Sequence, residues 1–269
     1  MKKYLKFLCI MAAFLCMSLS GAFSPVRADL IPADIVWLID VSGSMGNDIN
    51  YVKNGIVEFN NAMVANGIDA FYGLVVFGSG GASNPPILSQ NITDFATFND
   101  SSGAFQQLST ANGYFEAGSE AILTGLTASF RQGSTKNLIL LTDEDDDSDG
   151  DGYTSGTWPT RNSADVGLAN ADALFNFIGD SGYGNTDDTY GFLADNHGGA
   201  AFDIYNFRYD RDTFFTNFID TKVQEIKESV EPVPESGTML LLGAGLAGLA
   251  VACRRKKAYS RAPGVPARL

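Results

Sequence analysis

Five apolar residues, Ile35-Val36-Trp37-Leu38-Ile39, are followed directly by the run Asp40-Val41-Ser42-Gly43-Ser44. The apolar residues predict a buried strand, and Gly43 predicts a sharp turn at the end of that strand. One carboxylate and two hydroxyls at alternating positions can then direct three oxygen atoms at one point. Such a set suits a divalent cation of the Mg²⁺, Mn²⁺ or Ca²⁺ kind. The same run is also consistent with an ordinary polar loop in which Asp40 caps the next helix.

The central part of the chain alternates between predicted strands and helices, and this alternation indicates the fold class. Predicted strands lie at 34–40, 70–77, 137–141 and 190–195, predicted helices lie at 48–65, 116–130, 164–178 and 210–228, and an irregular segment covers 78–111. The alternation predicts an α/β fold with a doubly wound, mostly parallel central sheet flanked by helices. About 200 residues, 29–230, suffice for one domain of this kind.

Polar residues follow two of the predicted strands. Asp40 ends the first strand, and Thr142-Asp143 follows the strand at 137–141, while Glu116 begins the helix beside them. Because ligand sites in open α/β sheets lie at the carboxyl ends of the strands, we expect these carboxylates to meet at one edge.

At this point the sequence resembles the von Willebrand factor type A (VWA) domain and its metal-ion-dependent adhesion site. The matching stretches, which together span about 33–228, are 36–44, 74–78, 116–122, 140–143, and Leu193-Ala194 with Gly198-Gly199. The resemblance implies a Rossmann-like fold in which Ser42 and Ser44 bind the cation directly and Asp40 and Asp143 hold it directly or through water.

Two further assignments follow from the same resemblance. The stretch beginning at Glu116 is similar to the integrin β-subunit version of the site, in which a glutamate is the loop ligand, and Ser119 is the alternative ligand. In that branch Asn47 and Asp48 would lie at an adjacent, possible second metal site for Ca²⁺. Asn47 stands where an acid is expected, and Asp48 alternatively caps the first helix.

The segment 143–151 carries seven acidic residues in nine positions. It contains the spacing D-x-D-x-D-G twice, through Asp145, Asp147, Asp149 and Asp151, which matches the first half of an EF-hand-type calcium loop. The glutamate expected at the twelfth position is absent in both registers. The segment therefore predicts either a calcium loop or a solvated acidic loop.

The N-terminus predicts export. Residues 1–28 combine a basic start, an apolar core from Phe7 to Leu19, and Ala28 at the end of Val26-Arg27-Ala28, as in a signal peptide. The apolar core is too short to span a bilayer of about 30 Å, so a membrane anchor is disfavoured.

The C-terminus predicts a sorting signal at 231–257. The step Val233-Pro234-Glu235 precedes an apolar transmembrane helix at 237–253, and Arg254-Arg255-Lys256-Lys257 and a basic tail at 258–269 follow. This layout resembles the PEP-CTERM signal, although Ser236 replaces the usual second proline. The resemblance implies processing by an exosortase in a Gram-negative bacterium, after transient anchoring in the inner membrane by this helix.

Charge and composition restrict the possible partners. All 31 acidic residues but only eight of the 18 basic residues lie in 29–253, so this part carries a net charge of about −23. Such a surface repels nucleic acids and attracts cations, although acidity also serves solubility. His197 is the single histidine and has no supporting triad or zinc spacing, so we assign no catalytic residue.

Three classes of function are consistent with these features. The favoured class is an exported, non-enzymatic adhesion protein of the cell surface or extracellular space, whose Mg²⁺ or Mn²⁺ coordinates an acidic or sugar oxygen of an extracellular protein or polysaccharide. The second class is a structural matrix or biofilm component that Ca²⁺ stabilises. A secreted hydrolase is the third class, and no positioned base or nucleophile supports it.

Overall fold

The computed structural model describes residues 30–80, 84–149, 159–180, 182–183 and 186–230. All of them except Val230 belong to the first of the two units into which the chain divides, Met1–Ser229 and Val230–Leu269. The predicted signal peptide, the predicted transmembrane helix at 237–253 and the basic tail lie outside the described residues. Within the described ranges, no helix combines the length and apolar character needed to cross a membrane.

The strands of the described residues form one six-stranded sheet in the order β3-β2-β1-β4-β5-β6. Their bounds are Ile31–Asp40 (β1), Ile68–Phe77 (β2), Ile87–Thr93 (β3), Thr135–Leu141 (β4), Ala173–Gly179 (β5) and Ala201–Asp203 (β6). Only β3 runs antiparallel to its neighbour; the other described pairs are parallel. β1 lies inside the sheet because its apolar side chains can be buried on both faces.

Helices cover both faces of this sheet. Their bounds are Gly46–Ala65 (α1), Phe95–Phe98 (α2), Gly118–Gly125 (α3), Pro159–Ala171 (α4), Phe192–Asn196 (α5), Ile204–Tyr209 (α6) and Arg211–Ser229 (α7). On one face Trp37 packs edge-on to Phe59 of α1 at 5.6 Å between ring centroids, and Phe218 of α7 stacks on Phe59 at 5.7 Å. On the other face Val36 and Leu38 join a core with α3 and α4. The predicted doubly wound α/β class is confirmed.

Two predicted elements after residue 160 are wrong. The helix predicted at 164–178 ends at Ala171, and Ala173–Gly179 forms β5; the strand predicted at 190–195 lies in a continuous helical stretch, Asp187–Gly191 and α5. Short apolar runs do not distinguish a strand from a buried helix, and Asp172, with a φ of 52°, reverses the chain between α4 and β5. The last predicted helix, 210–228, is preceded by the separate helix α6.

The register of the central strands positions the candidate site. β1 pairs with β2 on one side and with β4 on the other, so the chain changes direction along the sheet at β1. Ile39 is aligned with Leu141, and Asp40 is aligned with Phe77. The loops that begin at Asp40 and Thr142 therefore leave the sheet side by side.

Candidate metal centre

Asp40 is the inner anchor of the site. It is completely buried at the end of β1. Its Oδ1 accepts the backbone N–H of Ser42 at 2.7 Å, and its Oδ2 accepts the hydroxyl of Thr142 at 2.8 Å. Burial raises the pKa of Asp40 to about 7, against the effect of these hydrogen bonds. The raised pKa means that no nearby positive charge offsets the burial of this carboxylate.

The two serines and Asp143 lie in one connected group beside Asp40. The hydroxyl oxygens of Ser42 and Ser44 are 3.1 Å apart, and the Ser44 hydroxyl donates to Asp143 Oδ1 at 2.8 Å. Asp143 follows β4 and Ser44 follows β1, so the adjacent strand ends bring together residues 99 positions apart. The structure thus brings these four side chains together at one edge of the sheet.

Glu116 supplies a further carboxyl group. It is only 2% exposed, and its Oε2 has no hydrogen-bond partner within the described part of the chain. Burial, and next the negative charge of Asp40, raise its pKa to about 8. Such an oxygen is costly to bury unless a cation or donor reaches it.

The donor set fits a hard divalent cation. It consists of hydroxyl and carboxyl oxygens, the ligands that Mg²⁺, Mn²⁺ and Ca²⁺ prefer. Among the residues that the structure describes, no three Asp, Glu, His or Cys side chains alone form a metal-binding group. A site here therefore depends on Ser42 and Ser44, and the unpartnered oxygen of Glu116 is consistent with a missing positive charge.

Asp48, predicted at the second cation site, has a positively charged partner in the structure. Asp48, at the start of α1, is fully buried, and the guanidinium of Arg208 on α6 binds both of its carboxylate oxygens. Arg208 also donates to Asp143 at 2.7 Å. Asn47 is exposed. The sequence alone did not indicate Arg208, because 160 residues separate it from Asp48.

The acidic segment after Asp143 packs on the start of α3. Asp146 Oδ1 accepts the backbone N–H of Ser119 at 3.1 Å, and Asp147 Oδ2 accepts that of Glu116 at 3.0 Å. Ser148 donates its hydroxyl to Asp146. Carboxylates at a helix N-terminus satisfy N–H groups that have no partner within the helix. The segment thus holds Glu116 in place, a role that sequence reasoning missed.

Of the predicted calcium-loop residues, only two have described side chains. Asp147 is used in the contact with Glu116, and Asp145 is buried, with Oδ2 unpartnered among the described residues. The side chain of Asp149 and all of Asp151 lie outside the described residues. The calcium loop therefore stays a prediction.

We expect Asp146→Ala to lower both stability and cation affinity. Removal of the carboxylate leaves the buried N–H of Ser119 without its partner, which costs about 1–3 kcal/mol of unfolding free energy. It also frees the loop that positions Glu116. Urea unfolding and calorimetric titration with Mg²⁺ measure the two effects.

The matched control for this variant is Asp94→Ala. Asp94 caps α2 in the same manner, by accepting the N–H and hydroxyl of Thr97. Its loss should reduce stability slightly and leave cation affinity unchanged. Wild-type cation affinity in Asp146→Ala would show that the acidic segment does not position the site.

A groove of about 410 Å³ opens beside the serines. Its lining includes Ser44, Asn47, Asn50, Ser109 and Thr110, whose hydroxyl and amide groups can both donate and accept hydrogen bonds. Lys53 donates to the carbonyl of Leu108 and so holds the far wall. The groove therefore leaves the side of Ser44 open to solvent.

Solved structures that are similar to this one identify the fold. Proximal thread matrix protein 1 from the mussel byssus, with a zinc-occupied MIDAS motif, matches 74% of this chain and 47% of its own, with a TM-score of 0.54 and 16% identity. The fold is that of a von Willebrand factor type A domain. A VWA protein from Catenulispora acidiphila matches 73% of this chain and 43% of its own, with a TM-score of 0.51 and 18% identity.

A third VWA-like neighbour is the pilus adhesin SpaC from Lactobacillus rhamnosus GG. It matches 74% of this chain and 31% of its own, with a TM-score of 0.53 and 15% identity. The chain thus spans less than half the length of each of these three structures. No curated protein is a significant sequence match.

The C-terminal segment has a match of its own. Residues 232–256 match the family model of the PEP-CTERM protein-sorting motif, which confirms the sorting signal predicted at 231–257. The motif indicates a secreted protein that is processed by an exosortase and held transiently at the membrane in a Gram-negative bacterium. One chain therefore carries a VWA domain and a C-terminal sorting motif.

Proposed function

We propose that this VWA domain is an exported, metal-dependent binding protein of the cell surface or extracellular matrix. The observation that carries the proposal is the connected group of Ser42, Ser44 and Asp143 beside Asp40. A divalent cation there would be held by the serine hydroxyls, and by Asp40 and Asp143 directly or through water. Glu116 would turn its unpartnered oxygen to the same ion.

The chemistry of recognition follows from this ligand set. A cation with few charged ligands keeps positive charge and an exchangeable water. A carboxylate or sugar oxygen of a partner replaces that water, and the metal becomes part of the interface. The polar groove beside Ser44 offers the partner further hydrogen bonds. We propose Mg²⁺ or Mn²⁺ for this position, and an extracellular protein or polysaccharide as partner.

The names of the structural neighbours support this class of function. One neighbour is described as a thread matrix protein with a zinc-occupied MIDAS motif, and another as a pilus adhesin. The second candidate function, a structural matrix component, is favoured by the acidic segment 143–151, in which Ca²⁺ would act only as a stabiliser. We propose a binding role and not an enzymatic one.

Asp40→Ala separates the two candidates. We expect the variant to fold, to lose the cation site in calorimetric titrations with Mg²⁺ and Mn²⁺, and to lose attachment to the extracellular matrix of the producing bacterium. Asp69→Ala is the control, because Asp69 is half-exposed and binds Arg131 instead. Attachment that survives in Asp40→Ala and in chelator would favour the structural candidate, and unchanged cation binding would contradict the metal site itself.

A further inference from the structure

The contact between Asp48 and Arg208 is the best-formed ion pair near the site. Arg208 Nε lies 3.0 Å from Asp48 Oδ1, and its Nη2 lies 2.6 Å from Asp48 Oδ2. The Asp48 side chain is 1% exposed, whereas that of Arg208 is 24% exposed. A buried carboxylate needs a positive partner, and the planar guanidinium matches both of its oxygens.

Arg208 also reaches the candidate site. The same Nη2 atom that binds Asp48 lies 2.7 Å from Asp143 Oδ2. The other oxygen of Asp143 accepts the hydroxyl of Ser44. Asp143 is thus shared between a fixed positive charge on α6 and the serine that is expected to bind the cation.

We propose that the guanidinium of Arg208 serves as a built-in cation at the position between Asp48 and Asp143. This edge of the sheet then holds one exchangeable divalent cation and not two. Asn47 carries no charge, so the single positive charge of Arg208 balances Asp48 without an additional ion. Unlike a bound ion, the guanidinium is covalently attached and cannot be removed by chelators or by low cation concentrations.

A second consequence concerns the strength of the remaining site. The positive charge of Arg208 partly neutralises Asp143, so Asp143 attracts the exchangeable cation less strongly. The guanidinium also repels that cation directly. Removal of the guanidinium should therefore increase affinity at the site formed by Ser42, Ser44 and Asp143. Arg208 is in this sense a residue that sets both the number and the affinity of bound cations.

The test counts bound cations by calorimetric titration with Ca²⁺ and Mn²⁺ on the purified protein. Arg208→Gln should bind one cation more than the wild type, because Asp48 and Asp143 are left without a counter-charge. Arg208→Lys, which keeps the charge, should bind the wild-type number. Asp48→Asn/Arg208→Gln should return to the wild-type number but bind its cation about tenfold more tightly.

The double variant keeps the test valid even if Arg208→Gln does not fold without metal. In the double variant position 48 is Asn, so no unpaired carboxylate is buried there. Equal cation number and affinity in the wild type and both Arg208→Gln variants would overturn the inference. So would a wild-type cation that Asp48→Asn removes. Cations should also be counted with and without Arg208→Gln in a protein that carries Asp40→Ala. There the proposed adhesion site is absent, so this comparison tests the Arg208 position alone and separates its failure from a failure of the adhesion site.

Discussion

In the absence of divalent cations, the protein is expected to lose stability as the pH rises from about 4 to about 8. The pKa of Asp40 rises from its ordinary 3.8 to about 7 on folding, and that of Glu116 from 4.5 to about 8. Between these limits the folded state keeps protons that the unfolded state has released. Stability therefore decreases with increasing pH throughout this window.

The size of the effect is set mainly by the buried Asp40. A rise in pKa from 3.8 to about 7 corresponds to about 4 kcal/mol of unfolding free energy, lost progressively across the window. Glu116 acts in the same direction. Because folded domains are stable by only about 5–15 kcal/mol, the loss should be easily measured.

A cation should reverse this loss. Mg²⁺ competes with the protons on Asp40 and Glu116, so its affinity should rise at least about tenfold between pH 6 and pH 8.5, from Asp40 alone. Urea unfolding at pH 5 and pH 8, in chelator and in Mg²⁺, measures both trends. Asp40→Asn is the control and should give a flatter pH profile. Stability in chelator that stays constant or rises over this range would contradict the argument.

Gly78→Ala adds only one methyl group, but it is expected to lower both the stability of the protein and its cation affinity. Gly78 follows β2 with a φ of +73°, and a Cβ atom there would overlap Asp40 Oδ1 and approach the backbone nitrogen of Ser42 to 3.2 Å. The methyl group must displace the carboxylate that anchors the loop. We expect a loss of about 2 kcal/mol or more in stability and at least about a hundredfold in cation affinity.

Gly67→Ala provides a closely matched control. Gly67 has a φ of +74°, but a Cβ there would meet no atom within 4 Å. The control therefore carries the backbone cost of about 1 kcal/mol without the collision. Thermal unfolding and Mg²⁺ titration of the two variants isolate the effect on Asp40. Equal cation affinity in the two variants would show that cation binding does not depend on the present position of Asp40.

The sequence predicted the structural elements that are determined by residues close together in the chain. β1, β2 and β4 each contain an uninterrupted run of at least four apolar residues, and parallel strands place Asp40 and Asp143 at the same edge, so their proximity followed from pattern alone. β5 was missed for a different reason. Its Asn176 is fully buried and polar, and it is satisfied by Lys222 and Glu225 on α7, more than 40 residues later. Local pattern carries no sign of such partners.

The same limit applies at the site. The contacts of Arg208 with Asp48 and of Asp146 with Ser119 join distant segments through specific hydrogen-bond geometry, which no periodicity encodes. The sequence predicted Asp48 as a metal ligand or helix cap and did not indicate its arginine partner. It predicted a calcium loop or a solvated loop at 143–151 and did not indicate that the described part of that segment caps α3.

The central place of β1 has a consequence for the order of folding. The bond between Asp40 and Thr142 joins residues 102 positions apart, and it can form only after β4 has docked against β1. Such non-local parallel pairing is slow, because the chain loses the entropy of a long loop before contacts compensate for it. Under the proposed function, the residues that would hold the cation are therefore assembled late, after the centre of the sheet closes. A cation would then stabilise the finished domain but would not direct the early steps of its folding.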